Sequence, residues 1–293
     1  MIKNNYNNIM IDTLILSGGG PSGIAYIGIF KALFEKNILK PDCSGIKEII
    51  TTSVGIIFSL FYIIGITVDQ QEKIILNIDF ESFLDMSKLE IDNLLIDFGL
   101  FDGEKLSDYI NSIVRNVLNK ENITLKQLYD KIPVKLTVKV FNVTKKHLEY
   151  INYETDPDLS LALLGKMTTA IPFFFKPVEY NGNFYVDGGL RGHYPIERCK
   201  TENYLGIFIQ GGTVPQQLEI YNWLPILKFI HSLMINQDDI IYQIKGNNSS
   251  KKDLFVEINQ GLNFNLTQER KLEMIEIGYN KTLQHIDNYL TGD

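Results

Sequence analysis

Cysteine is scarce in this sequence: Cys43 and Cys199 are its only two in 293 residues. Two cysteines build neither a disulfide framework nor a cysteine metal cluster, and a reducing compartment suits them. Arginine is scarce as well, limited to Arg115, Arg191, Arg198 and Arg270. Lys and Arg total 28 against 35 Asp and Glu, a formal net charge of −7 with no long basic run. That balance argues against a nucleic-acid partner, because phosphate neutralisation needs clustered cations. The N-terminus, MIKNNYNNIMIDTLILSGGG, lacks the charged start, apolar run and small-residue cleavage site of a signal peptide. A cytoplasmic or peripheral-membrane protein is expected.

What is present is a globular composition, 45% hydrophobic and 22% charged, enough to bury a real core. Ile49–Val68 carries no charge over 20 residues, a membrane-span length. Thr51, Thr52, Ser53, Gly55 and Ser59 interrupt it, so a buried strand, a tight turn and a buried helix are expected there. Ile11–Ser17 and Ile46–Thr51 read as buried strands, and Ile24–Lys36 and Val54–Ile64 as helices. Strands alternating with helices imply parallel pairing. From Asp69 to Lys131 the pattern is mainly helical, with Glu104–Leu118 the clearest amphipathic helix. Val134–Val143 alternates with period two and reads as a strand facing a core on one side, paired with Leu148–Tyr153. Pro157–Thr169, Leu224–Ile244 and Gln268–Leu290 read as helical, Phe184–Val186 and Tyr204–Gln210 as short strands, and Asn247–Lys252 as a loose linker. With no repeat and no sharp shift of composition, residues 1–293 are expected to form a single domain.

Ser17–Gly23 reads SGGGPSG, between a strand and a helix. Gly18, Gly20 and Gly23 satisfy the dinucleotide fingerprint G-x-G-x-x-G. That fold needs an acidic residue at the tip of the next strand, where this chain has Thr51-Thr52-Ser53. The P-loop reading fails because no Gly-Lys-Ser/Thr follows. Consecutive glycines at a helix N-terminus present N–H groups to an anion, either a phosphate or the oxyanion of an acyl-transfer intermediate. Pro21 has no N–H, which leaves Gly18, Gly19 and Gly20 as donors. A plain tight turn remains open.

Ser53 stands where the second strand turns into an apolar helix, the context of a nucleophile elbow and equally of a helix N-cap. The elbow string G-x-S-x-G has Thr51 in place of its first glycine. None of the four histidines (His147, His193, His231 and His285) has a context that marks it as the base. Asp187 ends a short strand and is followed by Gly188-Gly189, a turn signal that also holds a carboxylate rigidly. A Ser-His-Asp triad of Ser53, Asp253 and His285 is permitted by chain order.

Five segments in order carry a resemblance: LSGGGPSGIAYIGIFKAL (16–33), Ile50–Gly55, FGLFDGEKL (98–106), TTAIPFFFKPV (168–178) and YVDGGLRGHYP (185–195). Over about Ile11–Pro195 the chain resembles the patatin-like phospholipase family, and the likeness fades toward a C-terminal helical part, residues 215–293. The resemblance implies a three-layer α/β/α fold around a central, mostly parallel sheet. It implies a lipid acyl hydrolase with a Ser–Asp dyad, no catalytic histidine, no calcium and no cofactor. By position Ser53 is the nucleophile, Asp187 the base, and Gly18, Gly19 and Gly20 the oxyanion donors. The substrate class is a phospholipid, lysophospholipid or other lipid ester, met in transient contact with a membrane surface. Arg191 is a candidate head-group contact, and Ile171, Phe173, Phe174 and Phe175 line either an acyl groove or the core. Three positions depart from the family pattern: Thr51 for glycine, Ser22 for a basic residue and His193 for asparagine. The bias to Lys, Ile and Asn suits an AT-rich genome, whether of a virus or of an intracellular bacterium.

Overall fold

The computed structural model describes residues 10–84, 87, 94, 96–211, 252–260 and 262–291. Its strands in chain order are β1 (Thr13–Leu16), β2 (Glu48–Thr52), β3 (Gly99–Phe101), β4 (Lys135–Asn142), β5 (His147–Ile151), β6 (Phe173–Phe175), β7 (Val178–Tyr180), β8 (Asn183–Asp187), β9 (Tyr204–Gly211) and β10 (Asp253–Ile258). Eight of them form one sheet in the order β10–β9–β1–β2–β4–β8–β7, with β5 paired on β4. Pairing is parallel from β10 to β4, and antiparallel where β5, β8 and β7 join. Short β3 and β6 pair in parallel as a separate ribbon, and β3 lies inside the region Asp69–Lys131 whose sequence reads as mainly helical.

The helices are α1 (Ala25–Glu35), α2 (Gly55–Ile63), α3 (Val68–Asn77), α4 (Glu104–Leu118), α5 (Leu125–Lys131), α6 (Leu161–Thr169) and α7 (Gln268–Thr291). Side-chain caps start several of them. Thr67 with Gln70 and Thr124 with Gln127 make capping boxes on α3 and α5, and the Ser160 hydroxyl accepts the Leu163 N–H on α6. Both faces of the sheet are covered, as β1 shows. Leu14 and Leu16 join the main core with Tyr26 and Phe30 of α1. Ile15, pointing the other way, packs with Tyr194 and Phe208. Strands buried on both faces read as unbroken apolar runs, and the expected α/β fold, a mostly parallel sheet with helices on both sides, is the one found.

The charge-free stretch divides into β2, a turn, α2 and the start of α3. No helix among the described residues is long and apolar enough to cross a membrane. Leu224–Ile244 and all of Asn247–Lys252 but its last residue lie outside the described residues.

Candidate active site

Register brings the two catalytic candidates level. Thr52 of β2 pairs with Lys139 of β4, so Ser53 lies beside Val140, and Val140 pairs with Asp187 of β8. Ser53 and Asp187 thus sit on either side of β4, at the end of the strands that flank it. The Ser53 hydroxyl is one of the groups that act on the Asp187 carboxyl, drawing its pKa down.

Ser53 has φ of 53°, a left-handed conformation that costs a non-glycine residue about 1–3 kcal/mol. Its N–H donates to Thr168 Oγ1 at 2.9 Å, and that hydroxyl donates to the Lys139 carbonyl at 2.8 Å. The turn is held by neighbours that leave no room. A Cβ on Gly55 would lie 2.2 Å from Thr51 Oγ1 and 2.9 Å from the Ser17 carbonyl oxygen. The β-branched Thr51 is therefore accommodated at the elbow because residue 55 has no side chain.

Asp187 is buried, and its Oδ1 accepts the Gly189 N–H at 2.7 Å. Burial pushes its carboxyl up to about 6, against the opposing pulls of the Ser53 hydroxyl, the Gly189 N–H and the Lys139 ammonium. A carboxylate that titrates there is a better proton acceptor than an exposed one.

The glycine loop lies against the serine: a Cβ on Gly18 would meet Ser53 Cβ at 3.0 Å and His193 Cβ at 3.3 Å. Here the structure narrows the expectation of three oxyanion donors. The Gly18 N–H is already given to the His193 carbonyl at 2.8 Å. Gly20 opens a 3-10 turn, Gly20–Ile24, with Gly19 as its cap, and the first N–H groups of a helical turn have no acceptor within it. Gly19 and Gly20 are the donors that this loop leaves for an anion.

The remaining candidates are dispersed. Arg191 is exposed, with its guanidinium over the Phe141 ring at 5.7 Å. Ile171, Phe174 and Phe175 belong to the core, and Phe173 is half-buried at φ of 69°. The triad is not assembled. Asp253 pairs with Gly206, level with Ile15 and Ile50, three residues short of Ser53 and three strands away. Its carboxylate accepts the hydroxyls of Tyr194 and Tyr204. His285 lies on α7 past Tyr279, whose hydroxyl meets Glu35 at the end of α1 remote from the glycine loop. His147 is exposed, with Nε2 3.1 Å from Glu149. His231 lies outside the described residues.

Two residues escaped the sequence reading. Thr168 receives the Ser53 N–H, although its segment was recognised without a role for it. Lys139 is fully buried in the middle of the sheet, where alternation alone assigned it to a solvent face. An available signal was the implied three-layer fold, since a central strand in such a fold has no solvent face.

The strand–glycine loop–helix, the serine elbow and the strand-end aspartate occur within residues 14–199, which match the family described as patatin-like phospholipase. The chain belongs to that family. Among relatives of this chain, the uncharacterized protein R571 of Acanthamoeba polyphaga mimivirus is 28% identical over 290 residues, spanning 94% of each chain. The probable lipid hydrolase 463L of Invertebrate iridescent virus 6 is 31% identical over 185 residues, 63% of this chain and 62% of that one. In three dimensions, VipD of Legionella pneumophila superposes with a TM-score of 0.68 at 18% identity, across 96% of this chain and 67% of VipD. At that identity the likeness is one of fold.

Proposed function

We propose that this patatin-like chain is a lipid acyl hydrolase, of phospholipase A or lysophospholipase type, working through a Ser53–Asp187 dyad without calcium. The observation that carries the reading is the strand register that brings the Ser53 elbow and the Asp187 strand end to either side of β4, with the glycine loop packed against the same serine. Ser53 Oγ attacks the ester carbonyl carbon while its proton passes to Asp187. The N–H groups of Gly19 and Gly20 receive the oxyanion, and one such donor is worth about 10²–10³ in turnover. When the tetrahedral intermediate collapses, the C–O bond to the alcohol breaks and that alcohol takes the proton from Asp187. Water then attacks the acyl-serine, giving its proton to Asp187, and the proton returns to Ser53 as the fatty acid departs. The viral relative named a probable lipid hydrolase supports the same substrate class. Contact with the lipid surface is transient, as for a peripheral membrane protein.

The test is hydrolysis of mixed phospholipid vesicles and of a chromogenic acyl ester, in the presence of a chelator, by wild type, Ser53→Ala and Asp187→Asn. Loss of activity in both folded variants is expected. Equal activity in all three sinks the assignment. An inactive wild type that still binds vesicles makes the chain a lipid-binding member of the family.

A further inference from the structure

Lys139 projects from the centre of β4 with no accessible surface, and an ammonium there is costly unless every N–H finds an acceptor. All three do. Nζ donates to the carbonyls of Arg191 at 3.2 Å and Gly192 at 2.8 Å, and to Glu197 Oε1 at 2.6 Å. The two carbonyls belong to the segment that leaves Asp187. The backbone carbonyl of the same lysine accepts Thr168 Oγ1, which holds the Ser53 N–H. One residue therefore braces both halves of the site, the serine elbow through its carbonyl and the aspartate turn through its ammonium.

We propose that Lys139 is a positioning residue for the dyad, whose ammonium fixes the turn behind Asp187 and brings a positive charge to the side of this buried carboxylate, with Glu197 as its counter-ion toward the surface. The inference rests on the reading of Asp187 as the base. The groups around that carboxylate are few. Ser53 faces it from the elbow and Lys139 from β4. In the segment that follows, Arg191 lies over Phe141, the His193 ring meets the Ile209 carbonyl, and Glu197 is engaged by Lys139 and by the Tyr150 hydroxyl. Thr168 on α6 carries no charge. After the Ser53 hydroxyl and the Gly189 N–H, Lys139 supplies the cationic contribution that opposes burial at Asp187, while burial pushes the lysine itself down and Glu197 and Asp187 oppose that push. An apolar residue of similar length would fill the space without this charge.

The experiment compares wild type, Lys139→Met, Lys139→Arg and Glu197→Gln in two ways. The first is the pH dependence of kcat/KM on a soluble acyl ester. The second is titration of the Asp187 carboxyl by ¹³C NMR, with Asp187→Asn to assign the resonance. In Lys139→Met both the acid limb and the carboxyl titration are expected to move upward, as on losing a nearby opposite charge. Lys139→Arg restores most of the shift, and Glu197→Gln moves both downward. A carboxyl in Lys139→Met that titrates with wild type overturns the proposal, as do lysine and glutamate variants that move the same way. If Lys139→Met does not fold, Glu197→Gln decides: a downward shift supports the role, and no shift or an upward one ends it. If Asp187→Asn proves fully active, the base reading fails, and the NMR titration still decides whether Lys139 holds the carboxylate charged.

Discussion

Gly18 and His193 are joined backbone to backbone, the glycine N–H donating to the histidine carbonyl at 2.8 Å. This bond is one side of a closed ring. The His193 ring meets the Ile209 carbonyl through Nε2 at 3.2 Å, the Ile209 N–H donates to Ser17 Oγ at 2.8 Å, and Ser17 Oγ donates to the Gly18 carbonyl at 2.8 Å. The Tyr26 hydroxyl adds a bond to the Ser17 carbonyl at 2.8 Å. The glycine loop, the turn after Asp187 and the end of β9 are thereby locked together. A loop that must present N–H groups to a transient oxyanion gains from being fixed beforehand, since no reorganisation is then needed during reaction.

Removing the His193 ring opens this lock. In His193→Ala the Ile209 carbonyl loses its ring partner, and an unpaired buried acceptor costs about 1–3 kcal/mol. The variant is expected to melt earlier and to lose kcat with little change in KM, because the loop acts on the transition state. Unchanged kcat with a lowered melting temperature means that the ring serves stability alone.

Gly18→Ala tests the close approach of loop and serine. Its Cβ would meet Ser53 Cβ at 3.0 Å and His193 Cβ at 3.3 Å, both tighter than ordinary contact. The side chain of Ser53 has to shift, and a misplacement of about 1 Å can cost 10²-fold in rate. A fall in turnover of about that size is expected, with circular dichroism unchanged. Wild-type activity would show that the loop yields instead of the serine.

On the proposed reading, Asp187 sets the acid limit. Burial pushes its carboxyl up to about 6, and the base acts only when ionised, so kcat/KM is expected to rise with pH through about 6 and then level. The same shift bears on stability with the opposite sign. Asp187 binds protons more tightly folded than unfolded, where it titrates near 3.8. Stability from this group is therefore complete below pH 3.8 and lost as pH rises to about 6, a cost on the order of 3 kcal/mol. Asp187→Asn removes that cost while keeping an acceptor for the Gly189 N–H. It is expected to raise the melting temperature at pH 8 and to change it little at pH 4, with hydrolysis abolished. Equal melting temperatures at pH 8 would contradict the upward shift.

The sequence and the structure agree where local chemistry dictates the outcome. The apolar run before three glycines became β1, the helical spacing after them became α1, and the small residues at 51–55 became a turn. The family segments foretold the α/β fold. What stayed illegible depends on contacts between distant segments. Lys139 lies in an alternating strand whose polar positions read as exposed, and its ammonium is met by the Arg191–Glu197 segment folded over it. The Gly18 N–H is spent on a residue 175 positions later in the chain. The pairing of β3 with β6 needs FGLF and FFF to meet across α4, α5 and α6.

Thr51 and Gly55 make a compensating pair, and that gives the last prediction. The elbow tolerates a β-branched residue at 51 because the site of a Cβ on Gly55 is only 2.2 Å from Thr51 Oγ1. That hydroxyl is buried and has no hydrogen-bond partner among the described residues. Gly55→Ala forces an overlap with it and with the Ser17 carbonyl oxygen at 2.9 Å, and overpacking of this kind costs about 1–3 kcal/mol. The single variant is expected to melt earlier and to lose activity, because Ser53 lies two residues before the intruding methyl. Thr51→Gly in the same chain removes the hydroxyl and leaves the backbone contact, so it is expected to recover part of the stability. By itself Thr51→Gly restores the elbow string that the family resemblance implies and removes an unpaired buried hydroxyl. The double-mutant cycle on melting free energy measures the coupling, and a sum of independent effects would mean that the crowding is relieved by movement of the helix and not by the pair.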